Sequence, residues 1–249
     1  MPLKNLLLHV AYDGTNYLGW QLTKEGPSIE GCLKNVIEQI LQHSVQLQAA
    51  SRTDAGVHAK NQTVNFFVEK EFCAKRLFIS LNQLLPKDIR VLELKDVPLD
   101  FHPTLHCKGK TYTYQICCGK VQLPCHRHYS WHVIEILDVP LMKAALPSFI
   151  GSHDFSAFCN MRKNLNYEHY IRNVESFELT EFEDNRLVFR ISGNNFLYKM
   201  VRNLVGTVVD IGRNRLKIED IPDIINQKSR IKAGITAPAH GLCLEFIHY

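Results

Sequence analysis

The sequence lacks the features that mark membrane, secreted and disulfide-stabilised proteins. No apolar run in its 249 residues approaches membrane-spanning length. The apolar start at Met1–Val10 is interrupted by His9 and followed by Asp13, so it is too short for a signal-peptide core. The eight cysteines form no Cys-x-x-Cys pair, and a chain of this length needs no disulfide staples. The sequence therefore predicts a protein of the reducing cytoplasm.

Acidic residues are missing from two stretches of an otherwise balanced chain, whose formal net charge is only +4. Residues 101–134 contain no Asp or Glu but hold four Lys or Arg residues and five histidines. Residues 185–209 also contain no acid and hold four Lys or Arg residues. Such stretches indicate a locally positive face suited to phosphates, although ordinary solvated surface gives the same pattern.

The order of predicted elements is typical of an α+β protein with two halves. The first half reads β-α-β-β-α-β, with Ser28 as the N-cap of its first helix. Pro98 and Pro103 mark a boundary, so we predict an N-terminal domain of residues 1–103 and a C-terminal domain of residues 104–249. In the second half we expect strands at 110–118, 171–181, 187–192 and 242–247, and helices at 139–150, 195–211 and 218–226.

Asp54 stands alone as an acid in a loop of small residues, between Arg52 and Gly56. A lone Asp in a loop that contains glycine is most often a turn former. In an extended segment, Arg52 and Asp54 would point the same way and could form an ion pair. Such pairs are more often structural than catalytic, but a carboxylate held beside a cation stays ionised and reachable.

Arg202 lies at the edge of the apolar face of the helix predicted at 195–211. A partly buried arginine there needs a carboxylate or phosphate partner. The alternative is that its aliphatic stem is buried while the guanidinium reaches water.

Tyr112 lies in the predicted strand Lys110–Cys118, two residues before Tyr114. Aromatic side chains on strands beside basic residues form stacking platforms for bases in many RNA-binding proteins. The alternative is that both tyrosines belong to the core.

Cys125, His126 and His128 are the soft ligands of a possible zinc site. The segment lacks the paired Cys-x₂₋₄-Cys and His-x₃₋₅-His spacing of structural zinc sites, which makes a metal-dependent protein the weakest interpretation.

The segment Arg52–Ala59 resembles the signature of the tRNA pseudouridine synthase A (TruA) family. Further motifs resemble those of the family in the same order, and these are Ala11–Gly14 with Gly19–Gln21, Phe101–Pro103 with Lys110–Tyr114, Gly151–Phe155, Lys199–Gly206, and Ala237–Leu242. Several motifs in order are far more specific than any one of them.

This resemblance implies two RRM-like or ferredoxin-like α+β halves that share an extended antiparallel sheet with a central catalytic cleft. It implies a homodimer that isomerises uridine to pseudouridine at positions 38, 39 and 40 of the tRNA anticodon stem-loop, with no cofactor and no metal. By motif, Asp54 would be the catalytic nucleophile, Arg202 its paired arginine, and Tyr112 the residue that stacks on the target base. Arg52 would contact the RNA or help to hold the flipped nucleotide. The site would lie where the two halves meet.

One departure from the family pattern concerns tRNA binding, because Lys110 stands where an arginine is common and lacks the planar guanidinium. A non-catalytic RNA-binding module is the competing hypothesis. It rests on the same basic stretches and on Tyr112.

Overall fold

The α+β class is confirmed by a computed structural model that describes residues 3–69, 72–161 and 167–249. These residues form five α-helices and a large mixed β-sheet. Within these ranges, no helix combines the length and the apolar character that a bilayer crossing requires.

The strands are β1 (Lys4–Tyr12), β2 (Gln48–Ala49), β3 (His58–Val68), β4 (Ile89–Val97), β5 (Gly109–Cys118), β6 (Trp131–Val133), β7 (Gly151–Asp154), β8 (Ile171–Glu181), β9 (Arg186–Gly193) and β10 (Leu242–His248). The helices are α1 (Ile29–Leu41), α2 (Ala74–Leu84), α3 (Val139–Ala145), α4 (Met200–Gly212) and α5 (Asp220–Gln227).

The chain folds into two compact units. The first unit is Met1–Lys108 with Cys243–Tyr249, and the second is Gly109–Leu242. The predicted boundary between residues 103 and 104 lies five residues before this division, and the predicted second domain includes a last strand that the contacts place in the first unit. A division at one point of the sequence cannot describe a chain that returns to its starting unit.

The first unit has the predicted β-α-β-β-α-β order. β1 is its central strand and pairs antiparallel with β3 on one side and β4 on the other. β2 pairs antiparallel with β3, and β10 adds a short parallel pairing at the beginning of β3. The Ser28 hydroxyl accepts a hydrogen bond from the Gly31 N–H at 3.2 Å, so the predicted N-cap of α1 is confirmed.

The core of the first unit contains apolar residues of both β1 and α1. Fully buried residues on β1 include Leu6, Leu8 and Val10, and those on α1 include Ile29, Leu33 and Ile37. Burial on this scale is the main favourable term in the folding of such a unit.

The second unit is built on the antiparallel strand order β5-β9-β8-β7, with β6 parallel to β5. The sequence pattern predicts β5, β8 and β9 but misses β6 and β7, which have only three and four residues. α4 begins at Met200 rather than at Asn195, five residues later than periodicity predicts. Lys199 is its N-cap and adopts a left-handed conformation with φ of 61°.

α4 is buried on all sides rather than on one face. Of its thirteen residues, twelve are buried and Arg202 is the exception. A helix that is buried all round belongs to the core of its unit, and this one contacts α3. The structure therefore presents a single partly exposed cation on an otherwise buried helix.

Candidate active site

Asp54 lies at the start of a tight turn between β2 and β3 in the first unit. Its carbonyl accepts a hydrogen bond from the Val57 N–H at 3.1 Å, and Gly56 within the turn has φ of +77°. The turn-forming role that the sequence indicates is therefore confirmed, while the side chain of Asp54 stays partly exposed. Asp54 is therefore a half-buried residue that begins the turn.

The segment that follows β1 closes against this turn through backbone hydrogen bonds. The Trp20 N–H donates to the Thr53 carbonyl at 3.0 Å, and the Gly56 N–H donates to the Tyr17 carbonyl at 3.3 Å. A Cβ atom at Gly19 would lie 2.6 Å from the Thr53 oxygen, and one at Gly14 would lie 2.1 Å from the Val57 oxygen. Only glycine permits so close an approach of the two backbones.

Buried polar side chains of β1 and β3 form hydrogen bonds with the residues that precede the turn. The Gln62 amide on β3 accepts from the Ser51 N–H at 3.2 Å and donates to the Ser51 carbonyl at 2.6 Å. The hydroxyls of Tyr12 and Thr53 lie 2.8 Å apart, and Gln62 Nε2 lies 3.4 Å from the Tyr12 hydroxyl. Hydrogen bonds therefore hold both residues that flank Arg52.

His58 begins β3 and is buried beside the same turn. Its Nδ1 lies 3.1 Å from both Asp13 Oδ1 and the Gly14 nitrogen; it donates to the carboxylate when it carries a proton and accepts from the Gly14 N–H when it does not. The Asp13 carboxylate also accepts from the hydroxyl and N–H of Thr15. His58 belongs to the Asp54 motif, but the sequence alone indicates no role for it. The structure shows that it ties this motif to the turn at Asp13.

Arg52 has an exposed side chain in the same loop as Asp54. An ion pair between Arg52 and Asp54, which their alternate spacing indicates, stays a prediction. Exposure suits the expected contact to an RNA phosphate.

In the second unit, the guanidinium of Arg202 is held by a backbone carbonyl. Arg202 Nε donates to the Ala237 oxygen at 2.8 Å, and the Ala237 N–H returns a hydrogen bond to the Arg202 carbonyl at 3.1 Å. This contact fixes the orientation of the planar guanidinium relative to the segment at Ala237. The prediction of a partly buried arginine is confirmed.

Asn203 and Arg230 fix the segment that supplies this carbonyl, and sequence reasoning misses this role for both. Asn203 Nδ2 donates to the Phe158 carbonyl at 2.6 Å, and its Oδ1 accepts from Arg230 at 2.8 Å and from the Thr236 hydroxyl at 2.7 Å. Burial lowers the pKa of Arg230 from its ordinary value. The signal in the sequence is an asparagine in the middle of an apolar helix, where an amide needs partners.

Tyr112 and Tyr114 are both buried on β5. The ring of Tyr112 meets the ring of Phe196 edge-on at 5.3 Å. Tyr114 is fully buried, donates to the Pro238 carbonyl at 2.8 Å, and has its pKa raised by that burial. Tyr114 is therefore a core residue, and the stacking role expected of Tyr112 stays a prediction.

Lys110 is also buried, and its Nζ donates to Asn195 Oδ1 at 3.0 Å.

As for the zinc interpretation, no group of three His, Cys, Asp or Glu side chains that could hold a metal ion occurs within residues 3–69, 72–161 and 167–249. Cys125 is exposed, and the geometry brings no such set together around it or its histidine neighbours.

Comparison with known proteins gives consistent matches along the chain. A family model for tRNA pseudouridine synthases matches residues 8–104 and 145–249. These ranges contain Arg52, Asp54 and Arg202, whereas Tyr112 lies between them.

Similar full-length proteins carry related names. The tRNA pseudouridine synthase A 2 of Protochlamydia amoebophila (strain UWE25) is 53% identical over 248 residues, which cover 99% of this chain and 95% of that protein. A protein of the same name from Clostridium tetani (strain Massachusetts / E88) is 40% identical over 99% of both chains. A solved structure of a Cbf5-Nop10-Gar1 complex is 15% identical, covers 82% of this chain and 45% of its own, and has a TM-score of 0.37.

Proposed function

We propose roles for Asp54 and its neighbours from one premise: this chain belongs to the tRNA pseudouridine synthase family. It is an isomerase that converts uridine to pseudouridine in the anticodon stem-loop of tRNA. Positions 38, 39 and 40 are the uridines that we propose as targets. The observation that carries the assignment of the catalytic residue is a partly exposed Asp54 on a turn whose backbone is hydrogen-bonded to residues 17–20.

The reaction breaks the bond between N1 of uracil and C1′ of the ribose and forms a bond between C5 and C1′. The product is an isomer of the substrate, so no group or electron pair has to come from an external donor. A carboxylate can attack the sugar, attack the base, or assist removal of a proton from the sugar, and Asp54 suits each route. In every route the detached base must turn over without escaping.

The contacts of the Asp54 turn fix the backbone that carries the catalytic carboxylate. The turn is bonded to residues 17–20 through Trp20 N–H and the Tyr17 carbonyl, and the close approach of Gly19 leaves no room for it to shift. Correct placement of a reacting group is worth several orders of magnitude in rate, and a misplacement of about 1 Å can cost roughly 100-fold.

The second unit supplies the proposed partner groups. Arg202 is presented from a buried helix with its guanidinium oriented by the Ala237 carbonyl, and we assign it to the stabilisation of the Asp54 carboxylate. We assign Tyr112 to stacking on the target uracil, which partly offsets the few kcal/mol that unstacking of a base costs. The two units are thus the catalytic-carboxylate domain and the tyrosine–arginine domain.

Contacts to the tRNA backbone come from exposed cations, of which Arg52 is the one nearest in sequence to Asp54. Phosphate contacts release counterions, so affinity falls as salt rises. We further propose that the protein acts as a homodimer in the cytoplasm, as the family resemblance implies.

The function is tested with tRNA transcripts labelled with tritium at C5 of uridine. Formation of the new bond at C5 releases this tritium to water, so release counts turnovers. The wild-type protein should release tritium without an added cofactor, and Asp54→Asn should abolish release while it still binds tRNA. Asp100→Asn is the matched control, since Asp100 is exposed and lies outside the Asp54 turn.

Two outcomes separate the competing hypotheses. Binding of tRNA with no tritium release from the wild-type protein would support a non-catalytic RNA-binding module. Release that is undiminished in Asp54→Asn would show that another group does the chemistry.

A further inference from the structure

We infer that Gln62 and Tyr12 are positioning residues that fix the backbone on both sides of Arg52 and thereby set the place of the Asp54 carboxylate. This inference rests on the proposed function. It concerns two side chains that contact the loop from the strands beneath it. Neither is assigned a part in the chemistry itself.

The Gln62 side chain takes over where the pairing of two strands ends. The Ala50 N–H, one residue after β2, donates to the Thr63 carbonyl at 2.9 Å. At the next residue, the Gln62 amide bonds to both the N–H and the carbonyl of Ser51. The Gln62 amide thus makes the two hydrogen bonds that the backbone of a neighbouring strand would make. It fixes the orientation of the Ser51 peptide groups where the chain turns toward Asp54.

Tyr12 performs the equivalent task at Thr53. It is the last residue of β1, and its hydroxyl lies 2.8 Å from the Thr53 hydroxyl. Gln62 Nε2 is within 3.4 Å of the same tyrosine oxygen, so one connected set of hydrogen bonds spans Ser51, Gln62, Tyr12 and Thr53. Thr53 immediately precedes Asp54, and its carbonyl is already held by Trp20.

Because these polar groups are buried, each needs its hydrogen-bond partner. Gln62 is fully buried, and the exposed fractions are 4% for Tyr12, 7% for Ser51 and 8% for Thr53. A buried polar group that loses its partner keeps its full desolvation penalty, so the set is stable only in one arrangement. The same alternation of β3 that points Gln62 inward points Val64 and Phe66 inward, and both of these are apolar and fully buried. Gln62 is the polar residue in this series, and its amide is bonded to the loop at Ser51.

The chain contains a matched control for Gln62. The amide of Asn82 on α2 also accepts from a backbone N–H, that of Val91 at 3.0 Å, and donates to the carbonyl of the same residue at 2.9 Å. Val91 lies on β4, and this contact holds no part of the Asp54 turn. Gln62→Leu and Asn82→Leu remove the same kind of double hydrogen bond from the same unit.

A matched control exists for Tyr12 as well. The hydroxyl of Tyr249 donates to the Pro103 carbonyl at 3.0 Å, and both residues belong to the first unit. Tyr12→Phe and Tyr249→Phe therefore each remove one hydrogen-bonded phenolic oxygen from the same unit, but only the first oxygen contacts Thr53.

The experiment compares these four variants by thermal unfolding, by tRNA binding at fixed salt, and by kcat from tritium release at saturating tRNA. We expect all four to unfold at lower temperature. Only Gln62→Leu and Tyr12→Phe should lower kcat, on the order of 10- to 100-fold, with little change in tRNA affinity. A loss of kcat that tracks unfolding temperature across all four variants would overturn the inference, as would unchanged kcat in both test variants.

The hydroxyl pair allows a second, independent readout. If Tyr12 and Thr53 act as a unit, the double variant Tyr12→Phe/Thr53→Val should have no lower kcat than the less active of the two single variants. Thr53→Ser keeps the hydroxyl, so it should have most of the wild-type kcat. Additive losses would show that the pair is not a positioning device. This readout also replaces Gln62→Leu if that variant does not fold.

Failure of this inference is distinguishable from failure of the proposed function. An inactive wild-type protein, or an active Asp54→Asn variant, would overturn the proposed function and with it the basis of the inference. An active wild-type protein, an inactive Asp54→Asn variant and an unaffected Gln62→Leu variant would overturn the positioning role alone.

Discussion

Replacement of Gly19 by alanine tests whether the Asp54 turn must be held where the structure places it. Gly19 has φ of +94°, and an added Cβ would lie 2.6 Å from the Thr53 oxygen, 2.9 Å from the Asp54 carbonyl carbon and 3.0 Å from the Ala55 nitrogen. Every one of these atoms belongs to the backbone of the turn. No flexible side chain can move aside to make room.

The magnitude follows from two separable costs. The positive φ alone costs an alanine roughly 1–3 kcal/mol, or about 2–12 °C in unfolding temperature for a chain of this size. The steric cost adds a displacement, because the contact to the Thr53 oxygen must open by at least 0.4 Å, from 2.6 to 3.0 Å. Since a shift of about 1 Å can cost roughly 100-fold in rate, this displacement should lower kcat about 10-fold.

Gly119 separates these two costs. Its φ is +98°, nearly that of Gly19, and an added Cβ meets no atom within 4 Å. Gly119→Ala should therefore lose stability by the strain alone and keep the kcat of the wild-type protein. The assays are thermal unfolding and tritium release at saturating tRNA. Equal kcat values for the two variants would refute the claim that the position of the turn controls the rate.

Three further predictions follow from individual contacts. Ser28→Ala should lower the free energy of unfolding by about 1 kcal/mol through loss of the N-cap, as measured by denaturant titration, with no change in kcat. Burial and then the neighbouring Lys95 lower the pKa of His9 below its ordinary 6.5. The unfolded chain therefore binds more protons just below pH 6.5, stability should rise with pH across that window, and His9→Gln should flatten this dependence in unfolding titrations. Arg202→Lys keeps the charge but loses the bond to the Ala237 carbonyl, so kcat should fall while the slope of tRNA affinity against salt, measured by filter binding, stays unchanged.

Local sequence pattern predicts those strands and helices whose buried side chains recur at the spacing of the strand or helix itself. β8 occupies residues 171–181 in both the prediction and the structure, and Ser28 caps α1 as its chemistry indicates. In these elements the alternation of apolar and polar residues, or the side chain at the cap, is enough to choose the conformation.

The start of α4 shows where local pattern fails. Asn195–Lys199 continues the helical spacing of apolar residues, yet Asn195 Oδ1 accepts hydrogen bonds from Lys110 Nζ and from the Phe196 N–H. These bonds compete with helix formation, and the left-handed Lys199 completes the break. The competing partner lies 85 residues away in the sequence, so no window of neighbouring residues reveals it.

The same limit applies to the candidate site. The motif identifies Asp54, but the side chains that hold its loop are recognised only once β1 and β3 are paired. Gln62 gives a weak signal in advance, because strand alternation places it on the inward face with Val64 and Phe66. Its partner, the backbone of Ser51, is generic and cannot be identified from residue types.

Within its own unit, each of the two proposed catalytic charges is presented in the same physical way. Asp54 stands on a turn closed by a second segment through backbone bonds, and the absence of a side chain at Gly19 lets that segment approach. Arg202 stands on a buried helix closed by the segment that ends at Ala237, and a Cβ at Gly206 would lie 1.8 Å from the Ile235 oxygen. In both places a partly exposed charge is joined to backbone that close contacts prevent from moving. Such an arrangement suits preorganised catalysis, in which the charged groups need little reorganisation when the substrate arrives. A module that only binds RNA would have no need of it, because phosphate contacts from flexible surface side chains supply affinity without fixed geometry.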